Sequence, residues 1–305
     1  MVRQDVDLAP CPGATLDDLD TALVEQYREE LSRRRPGSPL LRQSHEGLLL
    51  QVGAAVQVGK QLQPTLTGTL FFGRDPQHFY PSLTITLLHF AGTSTARARE
   101  EDPLYLDNKE FRGVVPAVID AARATIYDKI GKQGLVEGFV RHDVPEYPEF
   151  AYREAIVNAV GHRDYGLEGG FVQVRLFADR LEIQSPGGLG GHLTVDNIAY
   201  EQYTRNPHIM GLLEDFGFVE RRGLGVDQMI RSMTDAGLEP PVFENRGSSF
   251  WVTLKGKPPE KPLPNLEGLG LNERQVQALA LMVNEGKEFN NQTFRELFGV
   301  TDRTA

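Results

Sequence analysis

The segment Arg153-Glu154-Ala155-Ile156-Val157-Asn158-Ala159-Val160 holds the residue types best suited to chemistry. Glu154 and Asn158 are four apart, so a helix sets them on one face, while Ala155, Ile156, Val157, Ala159 and Val160 pack the remainder. An acid and an amide on one face of a largely apolar helix suit a magnesium–phosphate site. The amide oxygen can coordinate Mg²⁺, a hard ion that takes oxygen ligands, and the carboxylate can orient or deprotonate a water. The same pair also fits two exposed polar positions on a surface helix, so the spacing alone does not decide.

The residues downstream favour a ligand site. Twenty-seven residues after Asn158 stands Ser185-Pro186-Gly187-Gly188. It follows a hairpin, FVQVRLFADRLEIQ, in which Val172, Val174, Leu176, Leu181 and Ile183 alternate toward one face. Glycines at a strand end let backbone approach a flat ligand closely. Farther on, Gly223-Leu224-Gly225-Val226 opens a helix, and a Gly-rich turn at a helix N-terminus is an anion site made of free N–H groups and the dipole. A lone GxG is a weak signal; the whole order, from acid–amide helix through hairpin and strand-end glycines to GxG helix and closing strand, is far more specific. His162-Arg163-Asp164-Tyr165 can line such a site or simply form a helix exit. Arg205 can sit in a lid near phosphate, although Asn206 as cap and Pro207 at the first position also make an ordinary helix start. Arg221 and Arg222 can meet phosphate or water, and Arg33-Arg34-Arg35 reads as a solvated helix end before it reads as a nucleic-acid contact.

The stretches REAIVNAVGHRDYG, DRLEIQSPGGL, RNPHIMGLLEDFGFVERRGLGVDQMI and FWVTL resemble the ATP-binding domain of prokaryotic Schlafen AlbA-like transcriptional regulators, often labelled RecG-like helicases. That domain is of the GHKL (histidine-kinase-like, Bergerat-fold) type. The resemblance implies Glu154 as the water-activating acid and Asn158 as the Mg²⁺ ligand. It implies Ser185 and Gly187 at the adenine pocket and Gly223 and Gly225 at the phosphates. Arg205 and, on the closing strand, Thr253 complete the nucleotide-binding set. Where GHKL ATPases carry an aspartate for the adenine amino group, this chain has Ser185, whose hydroxyl can accept that hydrogen bond without charge assistance. LTGTLFFGRDPQHFYPSLTITLLHFAGT resembles the end of an AlbA-like domain, and LNERQVQALALMVNEGKEFNNQTFRELFGVTDRTA the start of a winged helix. The expectation is an AlbA-like domain lacking its first part, because residues 1–45 leave little room, and a winged helix that stops at Ala305 before its recognition helix.

The function implied is ATP binding with Mg²⁺, coupled to DNA binding in a regulator of transcription or of the response to DNA damage or stress, with a homodimer compatible. The residues leave open whether ATP is hydrolysed, as by a weak GHKL-type ATPase, or only sensed. The rival reading is a non-catalytic DNA- or protein-binding module with a degenerate nucleotide pocket. A Schlafen-like nuclease would need clustered acids, and capping explains Asp17, Asp18 and Asp20 better. There is no GxxxxGK[ST] phosphate loop to support a helicase motor.

The elements that must position these residues can be read along the 305-residue chain. A net charge of −10 excludes a general basic surface, so any nucleic-acid contact must be local and salt-sensitive. One cysteine, Cys11, permits no internal disulfide, and no apolar run reaches the roughly 20 residues that span a bilayer, so a cytoplasmic protein is expected. Leu16, Leu19, Leu23, Tyr27 and Leu31 predict a helix capped by Thr15 and running to Ser32. Apolar stretches follow at 48–58, 68–73 and 83–91, the last rich enough in β-branched residues for a buried strand. Residues 109–130 read as one amphipathic helix and 134–141 as a strand pair. Then come helix 149–161, strands 171–177 and 181–184, helices 207–216 and 226–236, strand 249–254, and two helices at 272–285 and 291–298. The organisation expected is a partial AlbA-like domain (1–107), a connection (108–146), a GHKL-type domain (147–256), a Pro/Gly-rich linker (257–270) and a truncated winged helix (271–305). The fold class is α+β, built around a Bergerat-type α/β sandwich.

Overall fold

A computed structural model describes residues 5–96, 103–137, 140–219, 224–256, 272–285 and 290–299. The chain packs as two units, Met1–Lys257 and Pro258–Ala305. The first opens with α1 (Thr21–Arg34), α2 (His45–Gln51), the hairpin β1 (Ala55–Val58) and β2 (Gln61–Pro64), and the short helices α3 (Leu66–Phe72) and α4 (Pro76–Phe79). Strands β3 (Ile85–His89) and β4 (Asp107–Phe111) lead to helix α5 (Val115–Lys129) and the hairpin β5 (Lys132–Glu137) and β6 (Val140–Pro145). Then come α6 (Glu149–Gly161), β7 (Val172–Leu176), β8 (Arg180–Pro186), α7 (Pro207–Asp215), α8 (Gly225–Asp235), β9 (Val242–Arg246) and β10 (Ser249–Lys255).

The architecture is a mixed α+β sandwich. Six strands join in the order β4-β3-β7-β8-β10-β9, with β3 parallel to β7 and every other neighbour antiparallel. Register aligns Leu87, Val174, Ile183 and Val252 in one row across four strands. All four are buried, because side chains alternate along a strand and one face must leave water. One hydrophobic cluster runs from Leu19 to Leu254, so residues on both sides of position 147 share a core. Helix α6 packs against α5, α7, α8 and the sheet. It is buried almost all round, as its apolar sequence demands.

Two expected elements differ, and one strand is additional. The helix predicted from Thr15 begins at Thr21. The Asp20 N–H donates to the Phe72 carbonyl at 2.7 Å, which takes the chain off a helical path, and the Asp20 carboxylate then accepts from Ala22 N at 2.9 Å. Thr15 instead starts a 3-10 turn closed by Asp18. The helix predicted from 109 begins at Val115, because Lys109 and Phe111 belong to β4, where Phe111 pairs Ile85. Gly113, with φ +124°, turns the chain between the two. Strand β9 was not anticipated. The second unit holds α9 (Glu273–Glu285) and α10 (Asn291–Phe298). The latter is capped by Asn290, which accepts from Thr293 N at 2.9 Å, and ended by Gly299 in the left-handed region. Among the described residues no helix is long and apolar enough to cross a membrane.

Helix α7 is held at both ends by the first 35 residues. Pro207 occupies its first turn as expected, but Asn206 does not cap it. The Asn206 amide donates to the carbonyls of Gly161 and Arg163 at 2.9 and 2.8 Å, tying down the end of α6. The cap comes from Asp7, fully buried, whose Oδ2 accepts from His208 N at 2.8 Å and Ile209 N at 3.4 Å. At the other end the Tyr27 hydroxyl donates to Asp215 Oδ2 at 2.7 Å, and Arg35 pairs with Asp215 Oδ1 at 2.7 Å and with Glu214. Arg35 is therefore spoken for. Arg33 and Arg34 pair with Glu30.

Two predictions follow from these ends. Asp7→Ala removes the cap of α7 and should cost about 1–2 kcal/mol in urea denaturation. Asp7→Asn, which keeps an acceptor, should cost less. A parental midpoint for the alanine variant would remove Asp7 from this role. His162, at the C-terminal end of α6, has its imidazole pKa pushed down to about 4 by burial and by the Arg205 guanidinium. The unfolded chain, with histidine near 6.5, then binds more protons than the native one between these values. Stability is present in full above about pH 6.5 and is lost as pH falls toward about 4. The slope of denaturation midpoint between pH 7 and 5 should flatten in His162→Gln; an unchanged slope would assign the acid sensitivity to other groups.

Candidate functional site

Helices α6 and α8 stand over the pocket face of β8, β10 and β9 and enclose a cavity of about 200 Å³. Phe150, Glu154, Asn158 and His162 enter it from successive turns of α6, and Arg153, Ala155 and Ala159 line its flanks. Ile183, Val252 and Phe250 form its floor, as the alternation of β8 and β10 requires. Ser185, Gly187, Arg205 and Gly225 also line it.

One end of the cavity is built by Glu154, Asn158 and α8. Glu154 is buried. Asn158 Nδ2 donates to Glu154 Oε1 at 3.1 Å, which leaves the amide oxygen available to a cation. Gly225 is the first residue of α8, and a Cβ built on it would overlap Glu154 Oε1. No larger residue lets the helix come so close. The carboxylate thus abuts the first turn of α8, where free backbone N–H groups and the helix dipole favour negative charge. Arg221, Arg222 and Gly223 lie outside the described residues.

The other end is built by the strand-end glycines. Ser185 is buried, and its hydroxyl donates to the Ala159 carbonyl at 2.7 Å. Its oxygen lone pairs remain to accept from a ligand. Gly187 has φ +96°, and a Cβ there would overlap the Arg205 guanidinium and Asp164, so glycine is required on both counts. Arg205 donates from Nη2 to the Gly188 carbonyl at 2.7 Å and from Nη1 to the His162 carbonyl at 3.3 Å, with Asp164 Oδ2 at 3.8 Å. It therefore ties the loop after β8 to the end of α6. Two of its five N–H groups thus brace the Gly187 end, and the side chain still lines the cavity.

His162-Arg163-Asp164-Tyr165 forms a braced helix exit. Arg163 is buried and donates to the Gly170 carbonyl, Asp164 N donates to the Pro186 carbonyl at 2.9 Å, and the Tyr165 hydroxyl donates to the Val160 carbonyl at 3.0 Å. Of these residues His162 also reaches the pocket, with a neutral ring near pH 7. Thr253 is not brought to the pocket. Its neighbour Val252 faces in, so the two-residue period of β10 turns Thr253 to the opposite face, opposite Glu182 in register. Trp251 shares that face, with the Arg175 and Arg246 guanidinium groups each 4.7 Å from its ring.

Sequence reasoning missed Arg153 and the aromatic wall of Phe243 and Phe250, whose rings stack at 6.3 Å. Phe243 was missed with β9. Gly247, with φ +61°, turns the chain between β9 and β10, and Asn245-Arg246-Gly247-Ser248 was the turn signal that could have revealed the hairpin.

Two family models match the chain. Residues 169–254 match the family described as "Putative ATP-dependent DNA helicase recG C-terminal", and residues 1–84 match a domain of unknown function, DUF8451. No match is found among curated proteins. Among solved structures, the DIP2311 protein from Corynebacterium diphtheriae is similar at 26% identity and a TM-score of 0.62, over 84% of this chain and 48% of that one. The chain spans about half the length of that protein. Residues 169–254 of this chain are thus similar to the RecG C-terminal family, and they contain Ser185, Gly187 and Gly225. Glu154 and Asn158 precede the matched region and rest on the geometry of this chain.

Proposed function

We propose that the pocket binds an adenine nucleotide together with Mg²⁺, in the manner of GHKL ATPases. The observation that carries this reading is the meeting of Glu154, Asn158 and Gly225 at the N-terminus of α8, in one cavity with Ser185 and Gly187. The RecG C-terminal-like match of residues 169–254 supports it. The residues fit the ligands. Asn158 offers a free amide oxygen, the ligand type Mg²⁺ takes, and Ser185 offers an acceptor to an exocyclic amino group. The first turn of α8 offers N–H groups to phosphate. When bound, Mg²⁺ neutralises phosphate charge and orients it. Glu154 orients a water and accepts its proton, and the apolar floor of Ile183, Val252 and Phe250 receives the flat base. In the whole protein this nucleotide state would be read out as DNA binding by a regulator, with the second unit as the DNA-facing part. If the chain binds ATP without turning it over, it is a nucleotide sensor.

Glu154→Gln keeps the shape of the side chain and removes the base. Turnover should fall by about 10²–10⁴-fold with ATP affinity little changed. Asn158→Ala should instead weaken Mg²⁺-dependent binding. Phosphate release and calorimetric titration on both variants separate the two roles. Parental turnover in Glu154→Gln sinks the catalytic assignment, and absence of any heat or thermal shift at millimolar nucleotide sinks the reading as a whole. For DNA, the net charge of −10 leaves only local basic contacts, so duplex binding by this chain should be weak, non-selective and reduced by salt. Fluorescence anisotropy at two salt concentrations tests this; tight, selective binding at physiological salt would contradict it.

A further inference from the structure

We infer that Arg153 is the cation that holds the phosphate chain of the ligand. This rests on the reading of the pocket as a nucleotide site. Arg153 lines the cavity one residue before Glu154, on the side of α6 that carries Phe150. Its guanidinium lies 5.2 Å from the centre of the Phe150 ring. Its Nε is buried and has no hydrogen-bond partner. Among the described residues no carboxylate lies within ion-pair distance of it, whereas Arg28, Arg33, Arg34, Arg35, Arg123 and Arg180 are each paired with an acid.

A buried N–H without an acceptor is costly, and a positive charge with only an aromatic face beside it is incompletely compensated. A group that accepts two parallel hydrogen bonds would settle both. The guanidinium fork matches two oxygens of a phosphate, which a lysine ammonium cannot do. The position suits the terminal phosphates, since Arg153 and Glu154 both line the cavity and the Glu154 carboxylate abuts the first residue of α8. Arg205, the other described arginine in the pocket, directs two of its N–H groups to the carbonyls of Gly188 and His162, at the Gly187 end.

Calorimetry on the full chain with ATP, inorganic tripolyphosphate and adenosine tests the assignment. In Arg153→Gln the affinity for ATP and for tripolyphosphate should fall roughly ten- to a hundredfold, with adenosine unchanged. Arg153→Lys keeps the charge and loses the fork, and should lose about three- to tenfold for the two phosphate compounds. If the glutamine variant fails to fold, the lysine variant decides on the same criterion. Parental affinity for tripolyphosphate in the variants overturns the proposal. So does an equal loss for adenosine, which would mean that Arg153 merely packs on Phe150. A parent that binds tripolyphosphate through Arg153 but not ATP or adenosine keeps the anion site and removes the nucleotide reading. A parent that binds adenosine but neither phosphate compound removes the anion site and keeps a nucleoside pocket.

Discussion

The carboxylate of Asp7 accepts from the backbone of His208 across 201 positions of sequence, and it does so fully out of water. Its Oδ2 meets two free N–H groups of a helix start, where the dipole also favours an acid, while Oδ1 has no partner. With Tyr27 and Arg35 gripping Asp215 at the far end, α7 is fixed against the N-terminal segment at both termini. One part of the pocket wall, Met210, belongs to that helix. Met210 of α7 lies against Gly161, where a Cβ would overlap its sulfur, and Asn206, just before α7, secures the carbonyls that end α6. The region matched by DUF8451 and the RecG C-terminal-like region are thus parts of one packed unit.

Burying α6 has a consequence for the polar side chains it carries. An apolar helix surrounded by α5, α7, α8 and the sheet can hold an acid, an amide and an imidazole only if each is paired or neutral. Asn158 bonds Glu154, and Glu154 lies at a positive helix end. His162 is kept uncharged beside Arg205. The hydroxyl of Ser185 is tied to a carbonyl of α6 itself, so the floor and the wall of the cavity are joined at the point where the proposed base would lie. These pairings orient the groups before any ligand arrives, which limits the side-chain ordering that binding must impose.

Two glycines set how close the layers come. At Gly225 the backbone of α8 rests on a carboxylate, and at Gly187 the loop after β8 rests on a guanidinium and on Asp164. A methyl group at either place would push apart the surfaces that line the cavity. Both lie in glycine-containing turns visible in the sequence, yet their neighbours in space are far along the chain.

Periodicity and turn chemistry, read locally, placed Glu154 and Asn158 on one helical face, set the alternation of β7 and β8, and located α6, α7 and α8 close to their observed limits. These depend on 3.6- and 2-residue repeats and on Pro207, all of which act within a few residues. Position in three dimensions depended on contacts between distant segments. The Asp20–Phe72 bond shortened the first helix, and the pairing of Phe111 with Ile85 turned the start of an amphipathic pattern into a strand. Asp7 took the capping role that the sequence around Asn206 suggested for that residue. Arg205 went to carbonyls, and Thr253 went to the far face once β10 had aligned with β8. A residue's type and spacing determine what it can offer and which way its side chain faces. Which partner it meets is decided only when the core closes, because burial favours whichever donor or acceptor the tertiary packing brings within reach and leaves a few atoms, Arg153 Nε among them, without one.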